Sequence, residues 1–297
     1  MRGGADAAPA ELPSTSGGTL FIVSTPIGNL GDVTLRALEV LRTVPLIAAE
    51  DTRMASRLLG RYEIGTRTTS FHARSGPGRL AALLTHLRGG WDLAFVTDAG
   101  TPVVSDPGGE LVAAWAEEGG RVVPIPGASA VLAAVAASGI AGPRWGFEGF
   151  LPRSGRERKE RLARIAADDR STVLFEAPTR LAATLRDLAA TCGADRTAAV
   201  CRELTKLHEQ IARGTLSELV ASVEAGTIPA RGEIVIVVGS MAGVERPEAV
   251  ADHAVAIEAA RAEVVKRVAA GESPASAAKA VATATGLPRR ALYPAGH

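Results

Sequence analysis

Cysteine is nearly absent. Two in 297 residues, Cys192 and Cys201, cannot build a disulfide framework, and their spacing matches no zinc or iron–sulfur ligand set. They read as reduced core residues of an intracellular protein. No apolar run approaches the roughly 20 residues needed to cross a bilayer. Excess charge is missing too: 33 Lys and Arg face 32 Asp and Glu, which excludes a globally basic nucleic-acid coat but leaves local basic patches open. Among His72, His86, His208, His253 and His297, no two stand at a ligand spacing with carboxylates, so no metal is expected. Neither G-x-G-x-x-G nor a P-loop lysine occurs, which removes the dinucleotide fingerprint and the phosphate cradle. Residues 1–18 hold Gly, Ala, Pro, Ser and Thr without an apolar h-region, and read as a disordered tail rather than a signal peptide. A soluble, cytoplasmic protein with no membrane contact is the expectation.

What remains is a chain with 46% hydrophobic residues, long enough for two domains and a small appendage. Short apolar strands are expected at Thr19–Val23, Leu46–Ala49, Arg67–Phe71, Leu93–Val96 and Arg121–Ile125, separated by helix-like segments, the first capped by Asp32. This alternation over 19–142 predicts a mostly parallel sheet with helices on both faces. Gly139 to Gly146 is the domain boundary. Over 143–240, strands at Phe147–Leu151, Thr172–Phe175, Ala198–Cys201, Glu209–Arg213 and Glu233–Val238, with helices at Thr179–Ala190 and Leu216–Glu224, predict a mixed-sheet second domain. The segment 241–297 reads as helical, with a glycine turn at Gly286 and a basic start at Pro288 to Tyr293, the helix-turn-helix pattern. The fold class is therefore α/β, with two α/β domains and a C-terminal helical appendage.

In open parallel sheets, ligands sit at the carboxyl ends of strands. Four loops leave the first sheet there: Ser24 to Asn29, Glu50 to Arg53, Asp98 to Gly109 and Pro126 to Ser129. A glycine–proline loop without phosphate ligands suits a cofactor held by shape, backbone hydrogen bonds and carboxylates. S-adenosylmethionine, with an ammonium, a carboxylate, a sulfonium and a ribose diol but no phosphate, fits.

The loop Ala99 to Val104 resembles the G-x-P cofactor loop of the tetrapyrrole methylase superfamily, and Pro126-Gly127-Ala128-Ser129-Ala130 resembles its P-G-x-S-A loop. Further stretches, Ser24 to Asp32, Ala49 to Arg53, Thr97 to Gly108, Phe175 to Arg180, Arg202 to Lys206 and Gly232 to Val235, are similar to the 16S ribosomal RNA cytidine 2′-O-methyltransferases within it. The resemblance implies methyl transfer to the ribose 2′-hydroxyl of a decoding-site cytidine in 16S rRNA of the small ribosomal subunit. It also implies two α/β domains with the cofactor in the cleft between them, and a homodimer. It places the cofactor at Pro26, Asp98, Ala99, Gly100, Thr101, Pro102, Pro126, Gly127 and Ser129, with Ala177, Pro178, Glu233 and Ile234 closing over the adenosine.

A ribose hydroxyl is a poor nucleophile and benefits from a base or an electrostatic partner. Glu50, Asp51, Asp106, Glu203 and Lys206 are the catalytic candidates, and within the Asp98 to Gly109 loop the Asp98 to Pro102 half is expected to cradle the cofactor and the Ser105 to Pro107 half to face the ribose. Arg53, Arg153, Arg156, Arg158 and Lys159 are candidates for RNA phosphates. Each has a plainer reading: Asp98 and Asp106 as turn caps, Asp51 as a helix start paired with Arg53, Glu203 and Lys206 as a surface ion network, and Arg153 to Arg170 as a solvated helix face. Two rival functions stand beside the main one, a small-molecule tetrapyrrole methyltransferase and an RNA-binding module without catalysis.

Overall fold

The computed structural model describes residues 17–241 and 247–292. The tail expected over 1–18 lies, apart from Gly17 and Gly18, outside the described residues, as does Tyr293. Packing separates a unit running through Met241 from a unit beginning at Ala242.

The first unit opens with β1 (Thr19–Val23), α1 (Leu35–Thr43), β2 (Leu46–Ala49), α2 (Thr52–Arg61), β3 (Thr68–Ser70), α3 (Pro77–Arg88), β4 (Leu93–Val96), α4 (Gly109–Glu117) and β5 (Arg121–Ile125). The five strands form one parallel sheet in the order β3-β2-β4-β1-β5. Alternation along each strand sorts side chains to the two faces. Val23, Ile47, Ala49, Ala94 and Val96 pack with α1 and α2, whereas Leu20, Ile22, Ala48, Leu93 and Phe95 pack with α3 and α4. Each fully buried Leu or Phe here contributes about 1.5–3 kcal/mol. Asp32 does not cap α1. It ends a 3₁₀ turn over Leu30–Asp32, and Thr34 is the cap, accepting from the Ala37 N–H at 3.1 Å.

The helix α5 (Ala130–Ser138) follows β5 but packs against the second sheet. That sheet contains β6 (Trp145–Phe150), β7 (Ser171–Glu176), β8 (Thr197–Arg202), β9 (Gln210–Thr215) and β10 (Ile234–Val238), in the order β6-β7-β10-β8-β9. Only β6 and β7 run parallel; the other neighbours are antiparallel. The helices α6 (Gly155–Ala167), α7 (Leu181–Cys192) and α8 (Leu216–Glu224) bury Leu162, Leu185, Leu188 and Leu219 against one sheet face. Arg213 on β9 donates to the Ser138 and Ala137 carbonyls, so the last turn of α5 is tied to the second sheet. Cys192 and Cys201 are free thiols, and burial pushes Cys201 up to about 11.

The second unit contains α9 (Pro247–Ala269), α10 (Pro274–Thr285) and a 3₁₀ turn over Arg289–Leu292. Ser273 caps α10, Gly286 ends it at φ +71°, and Ala260, Val264, Ala277, Ala278, Val281 and Leu292 form its core. Within the described residues the expected helix after Pro288 is this single turn. No helix among the described residues is long and apolar enough to cross a membrane.

Candidate active site

Parallel pairing brings Ala49 level with Val96, so Glu50 and Thr97 leave adjacent strands together. The loops beyond are sewn to one another. Thr25 and Gly100 exchange both backbone hydrogen bonds, at 2.8 and 3.0 Å, and the Ser24 and Thr101 hydroxyls lie 3.0 Å apart. Thr101 Oγ1 also donates to the Ala128 carbonyl at 3.4 Å, and a Cβ on Gly127 would stand 2.9 Å from Ser24 Cβ. Gly100, at φ +80°, spends its N–H on Thr25 rather than on a ligand.

Backbone strain concentrates where the two α/β halves meet. Among the described residues, five that are not glycine have positive φ, and four of them are Val103 (+74°), Ser105 (+64°), Glu203 (+52°) and Thr205 (+67°). Such conformations cost of order 1–3 kcal/mol each, most at β-branched residues, and cluster at functional sites. Ser105 Oγ lies 3.1 Å from where a Cβ on Gly149 of β6 would sit, and Thr205 Oγ1 accepts from the Asn29 N–H at 3.2 Å. Each strained loop thus touches the opposite half.

Two cavities open in this cleft. One, of about 220 Å³, is walled by Ile27, Val104, Val131, Phe150, Phe175, Ile234 and Val235, with Ala99, Gly100, Thr101, Ser105, Ser129 and Ala130. Its charged lining residues are Asp106, Glu176 and Glu233, all acidic. The other, of about 350 Å³, is lined by Pro26, Gly28, Leu30, Met54, Arg57, Thr97, Asp98 and Lys206, among others. Ile27, Ala99 and Glu233 line both and form the partition.

Carboxylates crowd the partition. Glu50 Oε2 accepts from the Asp98 N–H at 3.3 Å, and Asp98 Oδ1 from the Asp51 N–H at 3.1 Å. Burial raises Glu50 and Asp98 above the usual carboxylate range, and neighbouring acids add to the effect. Asp106 is pushed up to about 6, chiefly by burial, with Glu50 and Asp98 adding repulsion. The enclosed Thr97 hydroxyl has no partner at ordinary hydrogen-bond distance, yet lies near enough to Asp106 to pull its titration partly back down.

Across the cleft, Lys206 Nζ stands 2.9 Å from Glu203 Oε1 and 3.1 Å from Glu233 Oε1. Burial works to lower the Lys206 ammonium, but these carboxylates outweigh it and hold it above its ordinary value. Glu203 is held below its usual range by the Glu233 N–H and then by Lys206. It lines neither cavity and serves to position Lys206.

The cleft thus gathers Pro26, Asp98, Ala99, Gly100, Thr101, Asp106, Ser129, Lys206, Glu233 and Ile234 of the expected residues. Pro102, Pro126 and Gly127 shape the loops behind without lining either cavity. Pro26 and Asp98 face the second cavity, while Asp106 faces the first. Gly100, Thr101, Ser105 and Asp106 line the same cavity, so the two halves of the loop are not divided between the two cavities; Val103 and Ser105 turn the chain back through left-handed conformations. Asp51 caps α2, accepting from the Arg53 N–H at 2.8 Å, and its ion pair with Arg53 holds it down at about 2. It lines neither cavity. Ala177 lines a third, arginine-bearing groove on the far side of Phe150, and Pro178 starts the 3₁₀ turn that carries the chain there. Neither lines the cavity that Phe175 and Glu176 reach.

Of the basic candidates, Arg158 is unavailable to a phosphate. It is 8% exposed, bonded to Asp187 at 2.7 Å, Thr184 at 3.0 Å and the Pro152 carbonyl at 2.9 Å. Arg156 pairs with Glu160, whereas Arg153 and Lys159 are exposed. Phe150, Phe175 and Glu176 were not legible as site residues. They come from the second sheet, and only tertiary packing brings them to the first.

The family model of the Tetrapyrrole (Corrin/Porphyrin) Methylases matches residues 19–220. The chain belongs to the tetrapyrrole methylase family. Its relatives include proteins named ribosomal RNA small subunit methyltransferase I. The one from Synechocystis is 45% identical, covering 93% of this chain and 96% of the relative. The one from Micromonospora olivasterospora is 42% identical, covering 98% and 92%. Among solved structures, a cobalt precorrin-4 methyltransferase superposes with a TM-score of 0.58 at 21% identity, over 74% of this chain and 94% of that one. A Thermus thermophilus uroporphyrin-III C-methyltransferase, complexed with S-adenosyl homocysteine, does so with a TM-score of 0.55 at 18% identity, over 76% and 99%. Both likenesses support the tetrapyrrole methylase fold: two α/β domains with a cleft between them.

Proposed function

We propose that the protein is an S-adenosylmethionine-dependent methyltransferase acting on ribosomal RNA of the small subunit, at the ribose 2′-hydroxyl of a decoding-site cytidine in 16S rRNA. The observation that carries the acceptor is the likeness to small-subunit rRNA methyltransferases over nearly the whole chain. The geometry supports a two-reactant site, since two cavities share one thin wall.

The first cavity suits the cofactor. No Lys or Arg lines it, so it is not built for phosphate, and its three acids favour a cationic group. Phe150, Phe175 and Ile234 offer flat apolar walls to an adenine. When bound, S-adenosylmethionine supplies a sulfonium-activated methyl, already electrophilic. The chain's part is then to position and to accept a proton. Asp98 in the second cavity has one oxygen committed to the Asp51 N–H and the other available to a hydroxyl proton. Lys206, held protonated, supplies positive charge beside the acceptor. Arg53, Arg153, Arg156 and Lys159 supply phosphate contacts. The protein acts in the cytoplasm as a homodimer.

Purified protein with radiolabelled S-adenosylmethionine is expected to label small ribosomal subunits or their RNA. Label passing to a tetrapyrrole precursor and not to RNA contradicts the acceptor. An absence of cofactor binding in calorimetry contradicts the enzyme reading as a whole.

A further inference from the structure

The helix α2 leaves the second cavity carrying Arg53, Arg57 and Arg61, spaced four residues apart. Four residues bring a helix back to nearly the same face, about 6 Å further along. The three guanidinium groups therefore form one file, and all three residues are exposed. The helix contains no acidic residue. Arg53 is paired through Nε and Nη2 with the Asp51 carboxylate. Arg57 and Arg61 have no carboxylate partner among the described residues, and Arg61 lies over the Tyr62 ring at 5.5 Å. Other arginines of this unit, such as Arg158, Arg161 and Arg180, are bonded to acids or carbonyls.

The file is continuous with the site. Arg57 and Met54 line the same cavity as Asp98 and Lys206. On the opposite side of α2, Leu58 and Leu59 are buried against the sheet, so the helix is fixed and its outer face is free. Two cations without a carboxylate partner, Arg57 at the cavity and Arg61 leading away from it on a rigid helix, are what a polyanion threading into that cavity requires. Surface arginines that served solubility alone would gain from interspersed acids, and α2 has none.

We propose that the Arg53–Arg57–Arg61 face of α2 is the track for the RNA phosphodiester backbone flanking the target nucleotide, with Arg57 at the phosphate nearest the acceptor and Arg61 further along the strand. This rests on the proposed reading of the protein as an RNA methyltransferase. The contact is with phosphate and so carries no base preference; it sets register.

The test measures binding of protein loaded with S-adenosylhomocysteine to 16S rRNA or small subunits across a salt series. Variants are R57A, R61A, the double variant and R61K. The double variant is expected to bind on the order of tenfold more weakly at about 0.1 M salt, with the slope of log K against log salt reduced by about 0.7 for each arginine removed. R61K keeps the slope. KM for RNA rises more than kcat falls, and cofactor affinity by calorimetry stays at the wild-type value, showing the fold intact. If wild type binds RNA and the double variant matches it in affinity and slope, the track is refuted and the enzyme reading stands. If wild type binds no RNA, both are refuted. Binding to whole subunits that is insensitive to salt points to a ribosomal-protein contact instead and likewise overturns the track.

Discussion

The Lys206 side chain lies directly across Gly28: a Cβ built on Gly28 would stand 2.4 Å from Lys206 Cγ and 3.0 Å from its Cε. One residue belongs to the first α/β half and the other to the second, and this contact sets the ammonium in the wall of the second cavity. Gly28→Ala must therefore displace Lys206. The expected result is a fall in turnover of about tenfold, as for one misplaced electrostatic group, with a smaller change in cofactor affinity. Steady-state kinetics beside calorimetry checks this, and a Gly28→Ala enzyme with normal kcat removes Lys206 from the chemistry.

Gly108 governs stability. It sits at φ +111°, and a Cβ there would lie 2.1 Å from Phe95 Cε1, in the core beneath the loop that follows β4. Strain and overpacking both act, so Gly108→Ala is expected to lower unfolding free energy by about 2–5 kcal/mol. Urea unfolding measures it. A change below 1 kcal/mol on that scale means the loop relaxes freely.

Asp106 predicts a pH signature. Its carboxyl titrates at about 6 in the folded chain against 3.8 in the reference state, so the folded protein holds this proton longer. Its charging costs stability as pH rises from about 4 to 6, and that cost is complete above 6. Glu50 and Asp98, also raised, act in the same direction, so the clean measurement is the difference from Asp106→Asn. Relative to wild type, this variant gains stability as pH rises through that interval. A cationic cofactor favours the ionised carboxylate, so its affinity in wild type should rise as pH passes 6, and Asp106→Asn should lose that rise. Parallel pH profiles for the two proteins contradict the placement of Asp106 beside the cofactor.

Arg158 and Arg153 separate structure from binding. Arg158→Ala leaves the Thr184 hydroxyl without its donor and Asp187 without its ion-pair partner, and a loss of about 1–3 kcal/mol is expected with no specific effect on RNA. Arg153→Ala, at an exposed position, should change stability by less than about 0.5 kcal/mol and weaken RNA binding. Thermal unfolding paired with filter binding checks both, and the reverse pattern contradicts the assignment.

Much of the fold was legible because its strands are short apolar runs closed by turn residues: β1, β2, β4 and β5 lie at the expected residues. The convergence of loops at their carboxyl ends followed from the alternation of strands and helices, which implies a parallel sheet. The destination of α5 did not. Its run Ala-Val-Leu-Ala-Ala-Val-Ala-Ala has no polar face to show which side is buried, and strand alternation assigned it to the first sheet. Nor could sequence show which cavity Asp98 or Asp106 faces. That depends on left-handed backbone at Val103 and Ser105, residue types that give no signal for it. Arg158 looked like part of a basic surface because its partners, Thr184 and Asp187, lie on another helix.

The central claim is a ribose acceptor on small-subunit RNA. The direct measurement is nucleoside mass spectrometry of 16S rRNA after reaction with the purified protein and isotopically labelled S-adenosylmethionine. The account predicts one labelled nucleoside, a cytidine carrying the methyl on its ribose. Label on a base, or an RNA that takes up none while the protein binds its cofactor, contradicts it.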